Sequence, residues 1–233
     1  MALHAYGDSH VCACFGRIAE VNVHHTGPVT MHRVGRDGAE GIVDGSGAVP
    51  GDTLIFVFGE IDVRAHLTRP FSRDKRKKSA QQVAADYVSA VEGLAGYSLV
   101  LCSVVPPAYN SRARSRAVPV YGSIEERVAL TRQINDVLSH ATGASYLDVY
   151  SLYADERGAL REEMSDGHVH IAAASVGPIR ERLAGLLGRD LTLLPLKAPS
   201  EAPYKPPPVK LAAKVAVHHL RRLAFNLFGR TER

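Results

Sequence analysis

Two segments at opposite ends of the chain carry residue types that can do chemistry together. Gly7-Asp8-Ser9-His10 follows a short apolar run near the N-terminus, and Asp166-Gly167-His168-Val169-His170 precedes an apolar, helix-like stretch. A serine at a tight turn becomes a nucleophile only when a base can take its proton. An imidazole held by a carboxylate can be that base, because the carboxylate orients the ring and stabilises its protonated form. Asp166 and His170 stand four residues apart across a turn, which can fold one back on the other. His168, two residues after Asp166, is the competing candidate. A third polar group, Glu60, Asp62 and Arg64, follows another apolar run, where it can buttress a loop or meet a substrate.

The elements that must position these residues are legible as alternating apolar runs and helical patterns. Leu3–Gly7, Ala19–His24, Thr53–Phe58, Tyr97–Val105 and Ser145–Val149 read as five strands. Thr53–Phe58 is continuously apolar and rich in β-formers, as in strands buried on both faces of a parallel sheet. Ser79 with Gln82, and Ser123 with Glu126, are capping-box signatures that open two helices. Val176, Ile179, Leu183 and Leu186-Leu187 give Ala172–Leu187 one apolar face. Strand–helix alternation of this kind predicts an α/β fold, a mainly parallel five-stranded sheet covered by helices on both sides. Ligands in such sheets bind at the carboxyl ends of the strands. Ser9, Gly27, Glu60, Asp62 and Arg64 all follow a predicted strand.

In this order and placement, the segments resemble the motif blocks of the SGNH/GDSL hydrolase family. Gly7-Asp8-Ser9-His10 is similar to its first block, Asp166–His170 to its Asp…His block, and Gly59-Glu60-Ile61-Asp62 stands where its Gly-x-Asn-Asp block belongs. The resemblance covers about residues 3–188. It implies a flavodoxin-like three-layer α/β/α sandwich and acyl-ester hydrolysis or transfer, without metal or cofactor. It also implies that Ser9 is the nucleophile and its N–H an oxyanion donor. Gly27 is the best match for a second N–H donor. The family spaces its Asp and His three apart, which falls on Val169 here. The resemblance favours His170 over His168, because Ile171-Ala172-Ala173 leads from it into the helix as it does from the family's histidine; Asp166 would orient it. The family's third-block Asn, an oxyanion donor, is Ile61 in this chain. Losing one such donor costs about 10²–10³ in rate. Arg64 or a backbone N–H is the expected substitute, with Glu60, Asp62, Arg64 and His168 as substrate-side candidates.

A rival chemistry uses overlapping residues. Asp8-Ser9-His10 and Gly167-His168-Val169-His170 resemble the first and last blocks of calcineurin-like metallophosphoesterases. That resemblance would make Asp8, His10, His168 and His170 metal ligands that activate water. The middle block of that family is absent from this chain.

Bulk properties narrow the classes further. The chain has 233 residues, 45% hydrophobic and 22% charged, which fits a globular domain with one sizeable core. Three cysteines do not make a disulfide framework; Cys12 and Cys14 are expected to be small buried hydrophobes. His24, His25 and His32 have no spacing partner and are expected on the surface. The N-terminus does not read as a signal peptide, and no apolar run reaches the length that spans a bilayer; a cytoplasmic location is expected.

The net charge of +4 is uneven. Residues 205–233 carry seven Lys or Arg against one Glu, leaving the rest slightly acidic. Nucleic acid is therefore not an expected partner. The expected organisation is a hydrolase-like domain over residues 1–190, a Pro-rich linker over 191–208, and a basic amphipathic helix over 209–233. An apolar stripe in 209–228, flanked by Lys and Arg, suits an anionic membrane surface or an acidic protein partner. A non-catalytic binding protein docked through that helix is a further alternative. So is an enzyme peripheral to the membrane that acts on a small-molecule or glycan ester. Arg73–Lys78 is a second basic run, expected as a solvated loop near the site edge.

Overall fold

A computed structural model describes residues 1–69, 78–109 and 119–196. The basic run up to residue 77, the Pro-rich segment from residue 197 and the expected helix over 209–233 lie outside the described residues.

Five strands form one sheet: β1 (Leu3–Gly7), β2 (Val21–His25), β3 (Thr53–Val57), β4 (Ser98–Cys102) and β5 (Ser145–Leu147). Their order is β2-β1-β3-β4-β5, and every pairing is parallel. Strands buried on both faces need apolar residues throughout, and β1 and β3 are buried at all five positions. Alternation then sorts their side chains. Leu3, Ala5, Ile55, Val57, Val100 and Cys102 enter one core, while Tyr6, Leu54, Phe56, Leu99 and Leu101 enter the other. The helices α1 (Ser9–Phe15) and α7 (Gly177–Leu187) complete the first layer with Val11, Cys14, Phe15, Ile179 and Leu183. The second layer is completed by α2 (Met31–Asp37), α4 (Ala80–Glu92) and α5 (Ile124–Ser139), which supply Met31, Val34, Val83, Tyr87, Ile134 and Leu138. The short helices α3 (Glu40–Val43) and α6 (Tyr150–Tyr153) finish the connections. The result is the expected three-layer α/β/α sandwich.

Local signals explain the boundaries. Ser79 caps α4 by accepting from Gln82 N–H. Ser123 and Glu126 close a reciprocal capping box on α5, satisfying two N–H groups that the helix cannot satisfy itself. The last helix begins at Gly177, with Pro178 in its first turn; Ala173–Ser175 forms a separate 3-10 turn rather than part of it. Leu186, expected on its apolar face, is exposed. Strand 97–105 shortens to Ser98–Cys102 because its continuation bonds to side chains: Asn135 accepts from Val104 N–H and donates to Val104 O. Residues 191–194, expected in a linker, run back along the body, where Ala19 N–H donates to Thr192 O and Ile18 bridges Leu193.

Two expectations about single residues fail. Cys14 is buried but Cys12 is exposed, because the short helix α1 turns its second-turn face outward there. His24 is half-buried on β2, stacked between His4 and Tyr6, with its Nε2 3.0 Å from His4 Nδ1.

Candidate active site

Strand order reverses between β1 and β3, so the helices after them leave on opposite faces and open a crevice at the strands' carboxyl ends. Ser9 stands there. Gly7 ends β1 in very close packing: a Cβ on it would lie 2.4 Å from Val57 O on the neighbouring strand. Asp8 then caps α1, its carboxylate accepting His10 N–H at 2.8 Å. Ser9 is therefore the first residue of α1, where backbone N–H groups have no intrahelical acceptor.

The 165–171 turn brings the second half of the site. Ser165 bridges Ile171, Asp166 N–H donates to His170 O, and Gly167 takes a positive φ of 82°. Buried Val169 anchors the turn. His170 Nε2 lies 2.8 Å from Ser9 Oγ, and His170 Nδ1 lies 3.0 Å from Asp166 Oδ2. The other Asp166 oxygen accepts the N–H groups of His168 and His170 at 2.8 and 3.3 Å. Burial opposes the charge on Asp166, but these N–H groups and the His170 ring outweigh it and hold the carboxyl below its usual range. An Nδ1–H of His170 thus faces an ionised carboxylate, and that tautomer leaves Nε2 able to accept a hydrogen bond from Ser9 Oγ. His170 itself is held below the usual histidine range, by burial and by the charge of His10, against the pull of Asp166. His168, the other candidate for the base, is exposed, and only its backbone engages Asp166.

Gly27, the expected second oxyanion donor, belongs to the loop that follows β2. Thr26 donates to Gly7 O through both its N–H and its Oγ1, at 2.8 and 2.9 Å, which docks the start of the Gly27 loop on the end of β1. Gly27 has φ 73°, and the space beside it is open.

Of the two readings open for Glu60, Asp62 and Arg64, the structure shows the group buttressing a loop rather than lining a substrate crevice. Glu60, Asp62 and Arg64 are all buried. Arg64 Nε donates to Glu60 Oε2 at 2.6 Å, so Arg64 does not offer that donor to an oxyanion. Asp62 accepts Met31 N–H at 2.7 Å and His32 N–H at 3.1 Å, tying the turn after β3 to the start of α2 and so fixing the far end of the Gly27 loop. Burial, opposed by those two N–H groups, pushes its carboxyl up to about 7. Ile61 is half-buried, and its side chain has no hydrogen to donate. A π-helical turn, Asp62–Leu67, follows it. Periodicity could not reveal that turn; the only sequence cue was the charge density of a segment that proves to be interior.

The metal arrangement is not assembled either. His10 Nδ1 meets Asp8 Oδ1 at 2.9 Å and Nε2 meets Val169 O at 3.2 Å, so both ring nitrogens are engaged within the protein. His168 points to solvent, and among the described residues no group of three or more His, Cys, Asp or Glu is placed to hold a metal ion.

No protein-family model and no curated protein matches the chain. Solved structures do match its fold. A GDSL-like lipase from Bacteroides thetaiotaomicron aligns at TM-score 0.52 and 14% identity, over 80% of this chain and 85% of that one. A proposed acylhydrolase from Bacteroides fragilis aligns at TM-score 0.53 and 13% identity, over 80% and 84%. A mutant of an acetyl-xylooligosaccharide esterase from Geobacillus aligns at TM-score 0.50 and 13% identity, over 84% and 97%. The chain has the fold of the SGNH/GDSL hydrolases.

Proposed function

We propose that this chain is a serine-dependent ester hydrolase or acyltransferase that works through an acyl-Ser9 intermediate. The observation that carries this reading is the continuous hydrogen-bonded series Ser9 Oγ, His170 Nε2, His170 Nδ1, Asp166 Oδ2, at 2.8 and 3.0 Å. The fold it shares with a GDSL-like lipase and an acetyl-xylooligosaccharide esterase supports it.

In the proposed reaction Ser9 Oγ attacks the ester carbonyl carbon as His170 Nε2 takes the serine proton. Asp166 stays ionised and stabilises the imidazolium. The carbonyl oxygen becomes an oxyanion beside the first turn of α1, facing Ser9 N–H and Gly27 N–H. Collapse of the tetrahedral intermediate breaks the ester C–O bond, and His170 returns its proton to the leaving alcohol. Water then attacks the acyl-serine in hydrolysis; an acceptor hydroxyl does so in transfer. No step requires a metal or cofactor. The reading places substrate choice in the crevice above Ser9, with short acyl esters, those on carbohydrate hydroxyls included, as the class to try first.

The test is hydrolysis of p-nitrophenyl acetate and of acetylated sugars by wild type, Ser9→Ala and His170→Ala. Loss of activity in both variants supports the reading. Retention by Ser9→Ala removes it.

A further inference from the structure

His10 lies outside the Ser9–His170–Asp166 series, yet its ring is packed against the base, with centroids 4.7 Å apart and planes inclined by 48°. Its side chain is 2% exposed. Both ring nitrogens face groups that only accept. Nδ1 meets the Asp8 carboxylate, whose same oxygen also takes His10 N–H, and Nε2 meets the backbone carbonyl of Val169. A neutral imidazole has one N–H and could satisfy only one of them; both are satisfied when the ring carries two protons.

Resting on the function proposed above, we propose that His10 is a positioning residue held as a buried imidazolium. It fixes the turn that carries His170 through Val169 O and keeps His170 neutral, and so competent as a base, under mildly acidic conditions. The charged groups around it are consistent. Asp8 is the partner, at the end of β1. Glu60, after β3, adds negative charge but is itself paired with Arg64. Asp62 acts on Asp8 as a like charge, and Asp166 holds the far nitrogen of His170. Burial opposes the charge on His10, but Asp8, the hydrogen bond to it, Glu60 and Val169 O together raise the ring to about 9. The cation therefore persists throughout the range in which His170 titrates. A like charge at this separation lowers the neighbour's pKa, and His170 is held below the usual histidine range in keeping with it.

Two measurements test this on the full chain. In wild type, nitrogen-detected NMR of the histidine rings, assigned with His10→Gln and His170→Ala, should show His10 doubly protonated beyond pH 8, while His170 titrates below the ordinary histidine value. A singly protonated His10 at pH 7 overturns the proposal, whatever the activity. In His10→Gln, which keeps a donor for Val169 O but removes the charge, the acidic limb of kcat/KM for p-nitrophenyl acetate should move up by about one pH unit, and the His170 NMR midpoint with it. A purely structural role lowers kcat without moving either midpoint, and that result overturns it. Should His10→Gln fail to fold, the wild-type titration decides, with His170 assigned through His170→Ala and His10 by through-space correlation to it. An unmoved limb in an enzyme that still depends on Ser9 defeats this inference alone. Activity independent of Ser9 defeats the functional reading instead.

Discussion

Ser9 Oγ and His170 Nε2 meet at 2.8 Å although 161 residues separate them. Neither residue is placed by its neighbours alone. Ser9 is set by the close fit of β1 to β3 and by the Asp8 cap. His170 is set by the turn that buried Val169 anchors. The contact exists because the parallel sheet brings the end of β1 and the turn between β5 and α7 to one edge.

The orienting carboxylate separates the two histidines functionally. Asp166→Asn should leave the fold intact and lower kcat by about 10²–10⁴, because an amide cannot stabilise the imidazolium and can select the wrong tautomer. His168→Ala should stay within a few-fold of wild type, since only the backbone of His168 engages Asp166. Steady-state kinetics on a chromogenic ester, with circular dichroism as the fold control, checks both. A large loss in His168→Ala would move the base to the wrong residue.

Stability should depend on pH through the Asp8–His10 pair. The folded pKa of His10 is raised to about 9 from an ordinary 6.5. Its contribution is thus fully present below the unfolded value and is lost as pH rises through about 9. The Asp8 carboxyl is lowered, against its burial, by the His10 charge and hydrogen bonds, so its contribution is lost as pH falls below the ordinary carboxylate range. Urea denaturation should therefore show lower stability at pH 10 than at pH 7, by up to about 3 kcal/mol from this pair. His10→Leu should cost about 3–5 kcal/mol at pH 7, because it leaves Asp8 buried without its partner, and should flatten the alkaline slope.

Gly7→Ala should destabilise by about 1–3 kcal/mol or more, because the new Cβ would lie 2.4 Å from Val57 O and would force β1 from β3. Denaturant midpoints measure it. Since Ser9 follows two residues later, activity at low denaturant should fall as well.

Much of this was legible in the sequence, for reasons that differ by residue. Thr53–Phe58 reads as a buried parallel strand because a strand covered on both faces must be apolar throughout. Ser123 and Glu126 announce α5 through their own capping chemistry. Ser9, Asp166 and His170 could be nominated by type and spacing, and His170 over His168 by the resemblance to a family whose histidine also leads into the last helix. The Glu60–Arg64 group could not be read correctly, because charged residues after a strand look alike whether they face a substrate or pair inside the protein. Glu60 stands just before, and Arg64 within, a π-helical turn, which has no sequence period of its own. The half-buried His24 was missed because its partners, His4 and Tyr6, lie on the adjacent strand. Likewise, the dual role of Asp62 on Met31 and His32 depends on backbone groups about thirty residues away.

The central claim is that Ser9 forms the covalent intermediate. Its most direct test is treatment of the full chain with a fluorophosphonate, followed by intact and peptide mass spectrometry. Wild type should gain one phosphonyl group, mapped to Ser9. Ser9→Ala should gain none, and His170→Ala should react far more slowly. An unlabelled Ser9 in an enzyme that hydrolyses esters, or a label at another residue that abolishes the activity, would contradict it.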